Sequence, residues 1–187
     1  VRAAMFAHDM LAAHSHDVLV AGGMESMTNA PYMLTKHRSG ARLGHDSLKD
    51  SMFLDGLEDA YEPGRAMGSF AEETCTEYQF TREQQDEYAL RSLSRAKDAI
   101  TSGAFTREIV AVEVAGRSGV TVVDTDEQPG NAKPEKIPTL KPAFAKDGTI
   151  TAANASSISD GAAALVVTKE SVAKAQGLPI AARIIAW

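Results

Sequence analysis

The sequence predicts a layered α/β fold, and three observations carry the prediction. The opening residues are helical in character and lead into Asp17-Val18-Leu19-Val20-Ala21-Gly22-Gly23. A short unbroken apolar run closed by glycines reads as a central strand, parallel and covered on both faces. A second run of small and β-branched apolar residues, 161–168, reads as another central strand. Between the two lies a long excursion, so the order is strand, excursion, strand. Helix followed by buried strand is half of a layered α/β arrangement.

Each element has a local reason. The first helix reaches about residue 13 and is apolar on most sides, so it is expected to be buried. No capping residue precedes it, and residues 181–187 read as a strand that stops with the chain, so a piece of a longer protein is expected. Residues 28–59 form a loop-rich stretch broken by Pro31, Gly40, Gly44 and Gly56. Ser69 and Glu72 have capping-box spacing, and a helix is expected after them to about residue 78. Thr81-Arg82-Glu83-Gln84 repeats the pattern. The helix it opens should span 82–102, stop at Gly103, and carry an apolar stripe of Tyr88, Leu93, Ala96 and Ile100. Residues 109–114 and 120–123 read as strands joined by Arg117-Ser118-Gly119, a hairpin. Residues 124–136 read as an extended surface loop, and 149–151 as a short strand. Ser171 is expected to cap a short helix that Gly177 ends.

Composition excludes several classes. With 187 residues, 44% apolar and 24% charged, the chain has the size of one domain or a small two-domain unit and can form a core. A net charge of −6 argues against a general nucleic-acid binder, and 6% aromatic residues against a base-stacking platform. No apolar run has the length of a membrane span. One cysteine excludes an intrachain disulfide framework and a multi-cysteine zinc site.

Three features invite a chemical reading, and each has a plainer one. Cys75 is a candidate nucleophile, but it falls inside a predicted helix, where a small packed residue is the ordinary case. His8, His14 and His16 cluster in sequence, but no carboxylate at ligand spacing completes a metal set. Gly22-Gly23 at a strand end could suggest a phosphate loop, but the dinucleotide fingerprint's third glycine is missing, and a tight strand exit explains the pair.

Two segments say more together. The first is Val20-Ala21-Gly22-Gly23-Met24-Glu25-Ser26-Met27-Thr28-Asn29-Ala30-Pro31-Tyr32. The second is Thr151-Ala152-Ala153-Asn154-Ala155-Ser156-Ser157-Ile158-Ser159-Asp160-Gly161-Ala162-Ala163-Ala164. The stretch 154–161 is a polar, small-residue turn entering a strand, which lets a ligand approach the backbone and presents hydroxyls and amides at a sheet edge. Ordinary turns use the same residues. The first segment resembles the strand and exit turn of the thiolase family, the acyl-CoA acetyltransferases, and the second resembles that family's Asn-Ala-Ser-x-x-x-Asp-Gly-Ala-Ala turn. Met67-Gly68 with Ala71-Glu72, Arg82-Glu83-Gln84-Gln85-Asp86, Asp126-Glu127 and Leu140-Lys141-Pro142-Ala143-Phe144 match in order, so the similarity covers essentially the whole chain.

The resemblance implies a layered α/β thiolase-like fold, part of the N-terminal half, with an inserted α+β loop domain. Residues 1–28 and 149–187 would belong to the α/β half and 29–148 to the loop domain covering coenzyme A. It implies thiolysis of 3-ketoacyl-CoA, or condensation of two acetyl-CoA, through a cysteine acyl-enzyme in the intact protein. The family's nucleophilic Cys would precede Val1, and its His and second Cys would follow Trp187. Cys75 matches neither cysteine, no catalytic residue is assigned here, and the chain alone is expected to be inactive. For binding, Ser156 matches the serine that hydrogen-bonds the pantetheine arm. Ala152 and Phe144 match tunnel-lining positions, Met67 matches the family methionine near the acyl end, and Leu57 is expected to lie along the cofactor. Ala66 stands where acetoacetyl-specific members often carry His. At the nucleotide end, near Pro129-Gly130-Asn131, Lys133 or Lys136 is the candidate cation. The expected ligand is coenzyme A or acyl-CoA as substrate, with no permanently bound cofactor, nucleic acid or membrane. The intact protein is expected to be a homodimer or homotetramer in the cytoplasm. The alternative is a non-catalytic thiolase-like module that binds acyl-CoA or lipid.

Overall fold

A computed structural model describes residues 1–186. In chain order the elements are α1 (Arg2–Ala12), β1 (Val18–Glu25), β2 (Tyr32–Met33), β3 (Lys49–Asp50), α2 (Met67–Tyr78), α3 (Arg82–Ser102), β4 (Val112–Gly116), β5 (Gly119–Val123), α4 (Glu127–Asn131), β6 (Gly161–Thr168) and α5 (Glu170–Ala175). Short 3-10 turns at His37–Ser39 and Pro134–Thr139 and a π-helical turn at Phe53–Leu57 complete the list. The chain divides into two compact units, one of Val1–Met52 with Ile158–Trp187, the other Phe53–Ser157.

In the first unit, β1 and β6 form an antiparallel ribbon in the register Val18↔Thr168 to Glu25↔Gly161. The expected parallel, doubly covered arrangement is therefore corrected. An apolar run reports burial tendency and carries no information about strand direction. Ala21 is buried, while Val20 and Val166, directly opposite each other, are 73% and 71% exposed. The helix α1 is also less buried than expected: Ala7 and Leu11 are covered, and Phe6 and Met10 face outward. One ribbon can cover only one face of a helix, whatever the residues on the others. Gly22 and Gly23 do not end the strand, which runs on to Glu25. A Cβ on Gly22 would sit 2.6 Å from the Ala163 carbonyl oxygen, so glycine is required by the close approach of β6.

Just past the last ribbon pair, the Thr28 amide donates to Asp160 Oδ1 at 2.9 Å. That backbone bond holds the Asp160 carboxyl below the usual carboxylate range. At the other end of β6, Lys169 rather than Ser171 precedes the first turn of α5, and no side chain caps it. Lys169 Nζ instead reaches Asp17 Oδ1 at 3.1 Å, beside β1. Gly177, with φ +64, follows the helix as expected. Residues 181–186 form no strand, and Trp187, the end of that expected strand, lies outside the described residues.

In the second unit, α3 follows its sequence closely. Gln84 N donates to Thr81 Oγ1 at 3.2 Å, Thr81 N donates to Gln84 Oε1 at 2.9 Å, and Gly103 takes the left-handed conformation at the C-terminus. The expected stripe is shifted. The covered face runs through Arg82, Gln85, Asp86, Ala89, Leu93 and Ala96, whereas Tyr88 and Ile100 are 66% and 41% exposed. The start of that face is polar because it meets backbone carbonyls and a turn rather than apolar side chains.

Helix α2 begins at Met67, two residues before the expected cap, and no side chain caps it. Glu72 has left the capping pattern: its carboxylate takes the backbone amides of Thr149 and Ile150. For the same reason residues 149–151 are not a strand, since amides satisfied by a carboxylate need no neighbouring strand. The hairpin forms with the turn at Arg117-Ser118 and the pair Gly116↔Gly119. Its first strand starts at Val112, leaving Ile109 and Val110 outside the ladder and exposed. The expected surface loop at 124–136 contains α4, which Asp126 caps by accepting from Gln128 N through Oδ1 at 3.2 Å. Its prolines do not prevent helix, because Pro129 and Pro134 both fall in first turns, where a missing N–H costs little.

Candidate functional site

The turn at 151–156 is the chemically distinctive part of the second unit, and a polar network holds it. Thr151 is fully buried. Its carbonyl oxygen accepts from Asn154 N at 3.3 Å and Ala155 N at 3.0 Å, and its hydroxyl accepts from Ala153 N at 3.3 Å. Asn154 closes the turn from the other side. Its Oδ1 accepts from Thr151 N at 2.7 Å, and its Nδ2 donates to the Thr149 carbonyl and to Asp86 Oδ1, both at 3.1 Å. The amide's orientation follows, because an oxygen faces a donor and a nitrogen faces two acceptors.

Asp86 is buried on the covered face of α3. Arg82, one turn earlier, donates through Nε to Asp86 Oδ2 at 2.7 Å. Its other nitrogens reach the carbonyls of Leu140 at 3.1 Å and Ile137 at 2.7 Å. A buried carboxylate is tolerated when it is paired and its lone pairs are used, and both conditions hold here. Gln85 Nε2 adds a bond of 2.9 Å to Thr149 Oγ1. Glu72 completes the clamp from α2, with Oε1 accepting from Ile150 N at 2.8 Å and Oε2 from Thr149 N at 2.9 Å. Two helices and one 3-10 turn thus fix the backbone on which Ala152 and Ser156 lie.

Ser156, with Ala153, Asn154 and Ala155, lines an open cleft of about 620 Å³ against Gln84, Tyr88, Ala89 and Ser92 of α3. Ala152 is exposed in the same turn but does not line the cleft. Three of the five expected binding residues form a second group. Leu57 ends the π-helical turn, Glu58 bridges to Ala66, and Met67 follows directly. Phe144 packs its ring on Gly68, so closely that a Cβ there would collide with it. Met67 and Phe144 remain 41% and 42% exposed. Arg65 steadies this group, its guanidinium 3.7 Å over the Phe70 ring and paired with Glu62 and Glu73. The Glu62 hydrogen bond pushes its pKa up. The expected binding residues are therefore brought together in two groups, Leu57–Met67–Phe144 and Ala152–Ser156. Lys133 and Lys136 sit exposed around the first turn of the 134–139 segment.

Cys75 is half-buried in α2, beside a cavity of about 200 Å³ lined by Glu72, Asp147 and Thr149 among others and by no basic side chain. His8, His14 and His16 do not converge. Their ring nitrogens lie near Asp9, Lys169 and Ser15 respectively. Among the described residues no group of three or more His, Cys, Asp or Glu is placed to hold a metal ion, and no helix is long and apolar enough to cross a membrane.

The residues that hold the turn, Glu72, Arg82, Asp86 and Asn154, were not singled out from sequence as a working set. The available signal was the four-residue spacing of Arg82 and Asp86 directly after a cap, with an Asn inside a small-residue turn.

Fold and site together define an α/β protein with a hydrogen-bonded polar turn at the edge of an open cleft. Comparison with known proteins gives it a family. A model of the thiolase N-terminal domain matches residues 1–171. Acetyl-CoA acetyltransferase 2 of Arabidopsis thaliana is 49% identical over 187 residues, covering 98% of this chain and 46% of that protein. An acetyl-CoA acetyltransferase of Escherichia coli is 52% identical over 168 residues, covering 89% and 42%. The crystal structure of the Bacillus anthracis acetyl-CoA acetyltransferase superposes with a TM-score of 0.85 at 41% identity, covering 95% of this chain and 45% of that one. The chain belongs to the thiolase family and has the α/β fold of its N-terminal part. It spans about half the length of the curated relatives it matches.

Proposed function

We propose that the protein is an acyl-CoA C-acyltransferase of the thiolase type, cleaving 3-ketoacyl-CoA with coenzyme A or condensing two acetyl-CoA. The observation that carries this reading is the 151–156 turn, whose sequence resembles the family's and which is held by partly buried hydrogen bonds with Ser156 on an open cleft. In the condensing direction an acyl–sulfur bond forms to a cysteine while the thioester of acetyl-CoA breaks and the coenzyme A sulfur takes a proton; in the cleaving direction the same bond forms while the C2–C3 bond of 3-ketoacyl-CoA breaks and the released acetyl-CoA carbon takes the proton. Cys75 has no part in it, because it lies in mid-helix beside carboxylates. The chain supplies binding groups and by itself is expected to be inactive.

In this reading the Ser156 hydroxyl hydrogen-bonds the pantetheine arm, Ala152 and Phe144 line its channel, Met67 faces the acyl end and Leu57 lies along the cofactor. Residues 29–148 act as the loop domain over coenzyme A, and 1–28 with 149–187 as parts of the α/β half. Lys133 or Lys136 meets the phosphates. Coenzyme A comes and goes as substrate, with no resident cofactor. The protein works in the cytoplasm as a homodimer or homotetramer. The test is Ser156→Ala in the protein at its full length. The Michaelis constant for acyl-CoA should rise about tenfold, the value of one lost hydrogen bond. An unchanged constant overturns the assignment of Ser156.

A further inference from the structure

Resting on that reading, we propose that Asp86 is a positioning residue: through Asn154 it sets the 151–156 turn so that the Ser156 hydroxyl meets the ligand. Asp86 is buried, and Arg82 alone would suffice to neutralise it. Yet its second oxygen is committed to Asn154 Nδ2, across 68 residues of sequence. Arg82 cannot follow a moving partner, because the Ile137 and Leu140 carbonyls hold its other nitrogens. Asp86 is therefore a fixed acceptor, and Asn154 is aligned to it.

The consequence reaches Ser156 in two steps. Asn154 Oδ1 holds the amide that opens the turn, Thr151 N, while its own backbone amide donates to the Thr151 carbonyl. One side chain thus ties the turn's first residue to the helix. Ser156 lies two residues further on, and it lines the cleft with Asn154 itself. Loss of the Asn154 Oδ1 bond frees the Thr151 amide, and with it the carbonyl that holds Asn154 N and Ala155 N, so the Ser156 hydroxyl loses its fixed direction. Neither Asp86 nor Arg82 lines the cleft, so Asp86 acts only through Asn154.

The test is a set of coenzyme A titrations on the protein at its full length, with backbone amide resonances followed throughout. In Asp86→Asn one of the two bonds must fail, since Arg82 Nε and Asn154 Nδ2 reach different oxygens and the amide puts an NH₂ in place of one of them. We expect coenzyme A affinity to fall about tenfold and the Ala155 and Ser156 amides to shift before any ligand is added. Asn154→Ala should lose about as much, and this variant carries the test if Asp86→Asn does not fold. In a Ser156→Ala background, either change should cost less than twofold further, because the group being positioned is gone. A role in stability alone would lower the melting temperature and leave these affinities and their coupling unmoved.

Unchanged affinity in both single variants, with Ser156→Ala still weakened, overturns the positioning role and leaves the acyl-CoA reading intact. If the unaltered protein does not bind coenzyme A, that reading fails. Asp86 is then judged on the amide shifts alone, and their absence overturns it as well.

Discussion

Replacing Glu72 by Gln removes a charge from the point where α2 holds residues 149 and 150, and its cost can be worked from the bonds. Glu72 Oε1 accepts from Thr149 N at 3.0 Å and Ile150 N at 2.8 Å, while Oε2 accepts from Thr149 N at 2.9 Å and Thr149 Oγ1 at 3.2 Å. Hydrogen bonds to a charged acceptor contribute about 1.5–3 kcal/mol and neutral ones about 0.5–1.5 kcal/mol, so each of the two amides loses about 1 kcal/mol. The new NH₂ must also face a backbone donor or turn to the hydroxyl. The total is about 2–3 kcal/mol, or about a 30- to 150-fold rise in the local opening constant. Native-state hydrogen exchange reads this directly, as faster exchange of the Thr149 and Ile150 amides. A Cβ on neighbouring Gly148 would collide with the carboxylate, so the cradle has little room to rearrange around the substitute. Unchanged protection of both amides would refute the reasoning, because the carboxylate would then not be what holds them.

Two further outcomes follow from single contacts. In Gly68→Ala the new methyl group meets the Phe144 ring, and a stability loss of about 1–3 kcal/mol is expected in a denaturant melt, with displacement of Phe144; an unchanged midpoint would contradict that packing. The Thr28–Asp160 bond should be acid-sensitive in a defined direction. The folded carboxyl titrates below the usual range, so the bond's contribution is complete above that range and is lost as pH falls through the depressed value. The Thr28 amide shift should report this transition below ordinary carboxylate pH and lose it in Asp160→Asn; a transition in the ordinary range would contradict it.

What the sequence revealed, and what it hid, follows from how local the cause is. The helix 82–102 was legible to the residue because Thr81, Gln84 and Gly103 act on their own turns. The hairpin was legible because the short connection Arg117-Ser118-Gly119 between β-branched runs leaves few other pairings, although Gly119 itself joins the ladder. Strand direction in the 18–25 and 161–168 ribbon was not, since it depends on the path taken between them. The segment 149–151 looked like a strand because its residues favour one, and only Glu72, distant in sequence, diverts its amides. The candidate site shows the same division. Ser156 and its neighbours stand in a recognisable motif, whereas the bonds of Asn154 to Asp86 and of Arg82 to the 137–140 carbonyls cross long stretches of chain.

The proposed function stands or falls on whether the clamped turn binds the pantetheine arm of coenzyme A. The most direct measurement is a titration of the protein at its full length with coenzyme A, following the backbone amides of Ala152 to Ser156. Saturable shifts are expected in that turn, reduced in Ser156→Ala. Binding that leaves those amides unmoved, while shifting others, would contradict it.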